Sequence, residues 1–233
     1  MNLIDKIFKF NGGINAETKK NISTSMAVEK IEIPKKLILP LRQHIGNMPK
    51  IKVSTGDYVL KGQLIAEADG NVSAAIHAPT SGEIKSIEKL LIPHPSGLPD
   101  YCIVIAPDMK DQWIKKSSID WKKIGLDQTI KLLLNSGIVG LGGAAFPSHL
   151  KLGLNRTNKI DTLIVNAAEC EPYITCDDML MREKSEELMK GIQLVQELLG
   201  AKETIIGIED NKPEALDKIN FYINKKSSIT AKV

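Results

Sequence analysis

The spacing of apolar residues changes once along the chain, close to Ser117, and no single architecture accommodates both patterns. Over residues 36–108 the apolar residues fall in short runs separated by glycine turns: KLILPL, the alternating IKV before Ser54-Thr55-Gly56-Asp57, YVLKGQLIAEA and YCIVIAP. Runs of that length and period, punctuated by glycine, make strands. Beyond Ser117, Ile124, Leu126, Ile130, Leu133 and Leu134 approximate helical spacing, with Gly137 as a stop. A glycine-rich loop over 140–147 follows, then a buried-strand run DTLIVN at 161–166. A long amphipathic helix over 177–199, a second strand over 203–208 and a second helix over 212–225 complete the pattern. Strands alternating with helices predict a parallel sheet with crossovers. The closing SSITAKV reads as the opening of another strand. A parallel sheet does not normally stop on a strand barely begun, so truncation inside a domain is expected. The polar, irregular first 35 residues read as an extended arm. The expected fold is multidomain: an arm over 1–35, an all-β unit over 36–115 and a partial α/β domain over 116–233.

Composition narrows the function classes. Hydrophobic residues make up 42% of the chain, enough for a packed core, but aromatics only 4%, so that core is mostly aliphatic. A net charge of +3, from 31 basic and 28 acidic residues, is too balanced to argue for nucleic acid, and no basic stripe interleaves with aromatics. The three cysteines, Cys102, Cys170 and Cys176, form neither a CxxC pair nor an even, close-spaced set. That argues against a disulfide framework and against an iron–sulfur or zinc site built from this chain, and favours a reducing cytoplasm. Cys170 reads as a small buried filler rather than a redox thiol, and Cys176 as equally ordinary. MNLIDKIFKF carries Asp5, Lys6 and Lys9 and lacks a signal-peptide apolar core. The longest apolar stretch, 137–147, is broken by four glycines and falls far short of the ~20 residues of a membrane span. Membrane association is therefore expected to run through partner proteins.

Within the β region, Gly56-Asp57-Tyr58-Val59, Gly62-Gln63, Glu67-Ala68 and Ala78-Pro79-Thr80-Ser81-Gly82 resemble lipoyl and biotinyl carrier domains, which are flattened barrel-sandwiches of two similar halves. A carrier attaches its cofactor to a lysine on the hairpin tip between them. The corresponding DGNVSAA, residues 69–75, has no lysine, so the unit is expected to be a platform rather than a swinging arm. His44, His77 and His94 are scattered without close ligand spacing and read as turn or packing histidines.

Two segments carry chemistry. The first runs from Gly137 through Gly140, Gly142, Gly143, Ala144, Ala145 and Phe146 to Pro147 and Ser148. Small residues let backbone approach a flat ring or a phosphate. Consecutive N–H groups and a helix beginning near Pro147 can hold an anion, and Lys151 adds positive charge one turn later. A tight turn between helices that merely tolerates glycine is the competing reading. The loop is neither a Walker loop, since GK[ST] is missing, nor the usual dinucleotide fingerprint, since no strand immediately precedes it. The second segment, Asn166-Ala167-Ala168-Glu169-Cys170-Glu171-Pro172-Tyr173, follows the strand DTLIVN directly. Ligands of open parallel sheets lie beyond the carboxyl ends of strands, where two carboxylates and an amide can accept bonds from ribose or ribityl hydroxyls. A solvated acidic turn is the equal alternative.

Taken together, GLGGA[AG]FP[ST] and N-x-x-E-x-E-P at this separation resemble the flavin subunit of respiratory complex I. The variant NAAECEPYITCDD, with QHIG, HAPTSG and PHPSGL upstream, resembles more closely the RnfC family, the NADH-side, FMN-binding members of Rnf ion-translocating electron-transport complexes. The resemblance covers nearly the whole chain from Gly12-Gly13-Ile14. It implies an α/β FMN/NADH-binding domain after the barrel-sandwich, and a protein that passes electrons between NADH and ferredoxin, the latter indirectly, in concert with other Rnf subunits. It implies a peripheral place on the cytoplasmic face of the cell membrane. Two [4Fe-4S] clusters belong to a Cys-rich region that this chain does not contain. By the same resemblance Gly140, Gly142, Gly143 and Ala144 cradle FMN with Lys151 near its phosphate or ring, Asn166 and Glu169 hold the ribityl chain or ring edge, and Phe146 and Glu171 face NADH; no general base is required. Ala145 stands where the family often has glycine, and Ala168 where complex I flavin subunits carry aspartate. A cobalamin-reductase-type flavoprotein and a non-catalytic assembly platform are the alternatives.

Overall fold

The computed structural model describes residues 16–141, 145–153, 159–223 and 228–233. They form two compact units: residues 30–159, and residues 16–29 together with 160–233.

The first unit is built on strands β1 (Leu37–Pro40), β2 (Lys50–Ile51), β3 (Tyr58–Val59), β4 (Leu64–Glu67), β5 (Ile76–His77), β6 (Gly82–Leu91) and β7 (Pro99–Pro107). They make two antiparallel sheets, ordered β1-β7-β6-β3 and β2-β4-β5. The glycine-punctuated runs of the sequence supply these strands, and their inward residues meet between the sheets. Leu41, Val59, Ile65, Ile84, Ile103 and Ile105 are each at most 1% exposed. Fully burying such side chains stabilises by roughly 1.5–3 kcal/mol each. This is the barrel-sandwich expected from the sequence. Of the DGNVSAA segment, Asp69, Gly70 and Asn71 are exposed, whereas its second half is folded in. Ser73 and Ala74 are buried, Ser73 Oγ donates to the Asn47 carbonyl, and Ala74 N–H donates to His44 Nε2.

Helix α2 (Trp121–Asn135) and the five-residue α3 (Ser148–Leu152) cluster with this same unit, although the change of period at 115/116 separates them from its strands. The reason is a close approach. A Cβ at Gly137 would lie 2.2 Å from the Ala75 carbonyl oxygen, and φ there is +66°, so only glycine lets the end of α2 meet β5. The helix itself is interrupted at Gly125, where φ is +80°.

In the second unit, β8 (Thr162–Ala167), β9 (Glu203–Ile208) and β10 (Ile229–Lys232) form a parallel sheet ordered β10-β9-β8. Helices α4 (Cys176–Glu183), α5 (Ser185–Leu199) and α6 (Pro213–Ile223) follow the strands, preceded in the chain by the single turn α1 (Asn21–Thr24). The helix expected over 177–199 is two helices. Lys184 leaves helical geometry at φ −127°, and Ser185 Oγ bonds the Met181 carbonyl at the break. Gly200 ends α5 in the left-handed conformation, and Pro213 begins α6. Met181, Met189, Ile192, Ile206, Ile208, Ala215, Ile219 and Ile229 form the core on one face of the sheet. The run DTLIVN is less buried than its composition predicts: β8 is an edge strand, and Ile164 is 71% exposed. The N-terminal segment, expected as an extended arm, is irregular over residues 16–35 apart from α1. Its residues 16–29 pack with the parallel-sheet unit, with Tyr173 N–H donating to the Thr18 carbonyl and Val28 N–H to Glu183.

Candidate functional site

The two motif segments belong to different compact units. In the barrel-containing unit the glycine segment closes on itself. Val139 and Pro147 pair as an antiparallel bridge, Gly140 N–H donates to the Phe146 carbonyl at 2.8 Å, and Ser148 N–H to the Ile138 carbonyl at 3.0 Å. Helix α3 starts at Ser148, as expected, but a helix of five residues offers little dipole. Gly142, Gly143 and Ala144 lie outside the described residues. A Cβ on Gly140 would meet only ordinary contacts, the nearest being the Phe146 carbonyl at 3.6 Å and Lys151 Nζ at 3.8 Å. Glycine there is not demanded by those protein neighbours, and its backbone lies beside an ammonium. Lys151 Nζ also stands 5.7 Å from the centre of the Phe146 ring. Gly140, Phe146 and Lys151 thus form one patch offering bare backbone, an aromatic ring and a cation. Ala145 has φ +43°, which explains why glycine suits this position: an L side chain there is strained.

His149, not singled out in the sequence, is buried in α3. Its Nδ1 has no hydrogen-bond partner among the described residues, and burial, with His44 nearby, pushes its pKa down.

In the parallel-sheet unit the acidic turn leaves the carboxyl end of β8. Asn166 is exposed and its Oδ1 accepts from Ala168 N–H at 3.2 Å, which starts the turn. Glu171 is exposed. Glu169 points elsewhere. It is 8% exposed, and its carboxylate accepts from the backbone N–H of Asp177 at 2.6 Å and of Asp178 at 3.2 Å, with the Cys176 thiol at 3.3 Å. Those donors open α4, whose neighbouring Thr175 makes no side-chain cap of its own. Glu169 therefore caps a helix from seven residues upstream, a contact invisible to any local capping pattern. Its carboxylate is close enough to Asp177 to help burial raise the Asp177 pKa, with Lys212 and Lys20 opposing.

Two buried lysines that sequence reasoning missed hold this turn. Lys20 Nζ donates to the carbonyls of Glu169, Glu171 and Ile174. Lys212, with 0% exposure, donates to the Ala168 carbonyl, Glu209 and Asn211. Hydrogen bonding from Lys212 draws the Glu209 pKa down to about 2, and Glu209 in turn raises that of the Cys170 thiol, which is exposed at the turn rather than buried as its small size suggests. Beyond the ends of the strands, within this unit, a cleft of about 650 Å³ is lined by Thr18, Cys170, Pro172, Ile208, Glu209 and Asn211, among others. That is the edge at which open parallel sheets bind ligands.

Comparison with known proteins matches two successive stretches of the chain. Residues 8–110 match the family described as the RnfC barrel sandwich hybrid domain, and residues 133–232 the Nuo51 FMN-binding domain. Among curated proteins, the C component of the ion-translocating oxidoreductase complex of Haemophilus influenzae (strain PittEE) is 41% identical over 229 residues, covering 98% of this chain and 35% of that protein. The protein of the same description from Vibrio cholerae (strain ATCC 39541) is 45% identical over 214 residues, covering 91% and 27%. That of Rhodobacter capsulatus (strain ATCC BAA-309) is 43% identical over 227 residues, covering 97% and 44%. The chain thus spans less than half the length of these relatives.

Proposed function

We propose an FMN-binding, electron-transferring role for this chain, which belongs to the RnfC family, as a nucleotide-handling part of an ion-translocating electron-transport complex. The observation that carries the reading is an acidic turn at the carboxyl end of a parallel strand, in a segment of the FMN-binding family. In this reading Gly140, with Gly142, Gly143 and Ala144, accepts the FMN, and Lys151 neutralises its phosphate or the ring edge. The nearness of Lys151 Nζ to the Gly140 backbone fits that assignment. Asn166 offers its amide to the ribityl hydroxyls. Glu169, assigned to the same contact from the sequence, contributes to it by shaping the turn through its helix cap. Phe146 and the exposed Glu171 face NADH, the ring by stacking on a base. Bound FMN supplies hydride acceptance and single-electron release, chemistry that is the cofactor's own. The chain's residues place it, balance its charge and require no general base.

The electrons are proposed to leave toward two [4Fe-4S] clusters whose ligands lie outside this chain, and to exchange with ferredoxin indirectly, in an assembly with other Rnf subunits. No helix among the described residues is long and apolar enough to cross a membrane. A peripheral place on the cytoplasmic face, held by other members of the complex, is proposed accordingly.

The test is an FMN titration of the purified chain followed by anaerobic addition of NADH. Protein-bound flavin absorbance that bleaches with NADH is expected. Gly140→Val should abolish flavin uptake while the barrel stays folded, and Glu171→Gln should weaken NADH alone. No uptake of FMN, or uptake indifferent to Gly140→Val, refutes the reading.

A further inference from the structure

Lys20 lies 149 residues from the turn it touches and plays no part in the function proposed above. It is 8% exposed, and Nζ donates to the carbonyl oxygens of Glu169 at 2.5 Å, Glu171 at 3.0 Å and Ile174 at 2.7 Å. An ammonium carries three donors, and all three end on the backbone of one short turn. Lys212 reaches the same turn from the segment after β9 and takes the Ala168 carbonyl at 2.5 Å. Four of the seven carbonyls from Ala168 to Ile174 therefore face two buried cations.

The turn has reason to need them. Glu169 and Tyr173 hold φ of +53° and +67°, a region in which L side chains are disfavoured, so the local chain does not choose this shape unaided. Buried carbonyls without a donor would also be costly, and here the donors come from distant chain rather than from secondary structure. Lys212 has Glu209 as its counterion, whereas the bonds of Lys20 go to neutral carbonyls. The charge of Lys20 is thus set against the acidic side chains around the turn, Asp177 among them. Two neighbouring contacts deepen the clasp: Tyr173 N–H donates to the Thr18 carbonyl, and Ser23 Oγ bonds Thr175 Oγ1 at 2.8 Å.

We infer that Lys20 is a positioning residue of the flavin site: its ammonium fixes the backbone of Ala168–Ile174 so that Glu171 is presented beyond the end of β8, the strand whose last residues include Asn166. The inference rests on the flavin reading above and concerns the shape of the turn, not contact with ligand. A segment whose sequence reads as a polar arm thereby becomes part of the site's construction.

Three variants of the 233-residue chain test it: Lys20→Met, which removes the charge at similar volume, Lys20→Arg, which keeps it, and Lys20→Gln, which keeps a neutral donor. Hydrogen exchange of the amides of 168–176 is measured without ligand, and FMN affinity by quenching of flavin fluorescence. In Lys20→Met, exchange across 168–176 should rise at least tenfold and FMN affinity fall at least tenfold, while amides of β9 and β7 keep their rates. Lys20→Arg should recover most of both losses. Unchanged exchange in Lys20→Met, or equal impairment of the Met and Arg variants, overturns the positioning role. Raised exchange with unchanged FMN affinity overturns its connection to flavin. If Lys20→Met also loses β9 protection, Lys20→Gln decides: FMN affinity at least threefold weaker with β9 intact supports the role, and parental behaviour overturns it. Failure of the unmutated chain to take up FMN refutes the flavin reading itself, and the ligand-free exchange then still decides whether Lys20 holds the turn.

Discussion

Removing the carboxylate of Glu169 should loosen α4 far more than an ordinary surface substitution, and glycine should be a better replacement than alanine. The side chain is 8% exposed and accepts two backbone N–H groups, from Asp177 and Asp178. A lost helix cap costs about 1 kcal/mol, and hydrogen bonds to a charged group about 1.5–3 kcal/mol each. Against that, Glu169→Ala relieves the repulsion with Asp177 and the burial of a charge. The net loss works out to roughly 2–3 kcal/mol, or about thirtyfold to a hundredfold in the local opening equilibrium at 1.4 kcal/mol per decade. Glu169 also sits at φ +53°. Glycine avoids that strain, and after its greater unfolded-state entropy is subtracted Glu169→Gly should be about 0.5–1 kcal/mol more stable than Glu169→Ala. Tryptophan fluorescence does not report on this unit, because Trp113 and Trp121 both belong to the other one. Hydrogen exchange of the α4 amides is the suitable assay, since it reads local stability directly. Alanine-variant amides as protected as the parent's, or a glycine variant exchanging faster than the alanine one, would refute the capping argument.

Four further outcomes follow from single contacts. Glu209 has its pKa drawn from 4.5 down to about 2, so it contributes stability that is present above pH 4.5 and lost as pH falls toward 2; acid titration of the parallel-sheet unit by circular dichroism should show that loss, and Lys212→Met should abolish it. The same Lys212→Met leaves a partly buried carboxylate without its ion pair and should cost about 3–5 kcal/mol near neutral pH, measured by urea unfolding. Ala145→Gly, at φ +43°, should stabilise the glycine segment by about 1 kcal/mol, seen as slower exchange of the Gly140 amide. Gly137→Ala forces a Cβ to within 2.2 Å of the Ala75 carbonyl oxygen at positive φ and should destabilise the packing of α2 on β5 by about 2 kcal/mol or more, visible as lost exchange protection at the end of α2.

Period and punctuation are local properties, and the elements they specify were legible in the residues. The strands of the barrel, the parallel pair β8 and β9 and the helix over 213–223 all follow from spacing and punctuation. The motifs likewise placed Asn166 and Glu171 at a strand end, where the structure has them exposed. The break between α4 and α5 escaped, because amphipathic spacing runs through Lys184 and only the backbone departs from it. The exposure of Ile164 escaped because an apolar run does not say whether its strand lies at an edge.

What the sequence by itself determined is therefore the kind of each segment and the chemistry it carries. Tertiary structure alone decided the roles of individual charges. Glu169 reads as a ligand contact and is seen here as a helix cap; Lys20 and Lys212 belong to no motif and are buried anchors of the acidic turn. The physical reason is distance along the chain: a buried ammonium goes wherever its three donors can all be satisfied, and for Lys20 those acceptors lie about 150 residues away.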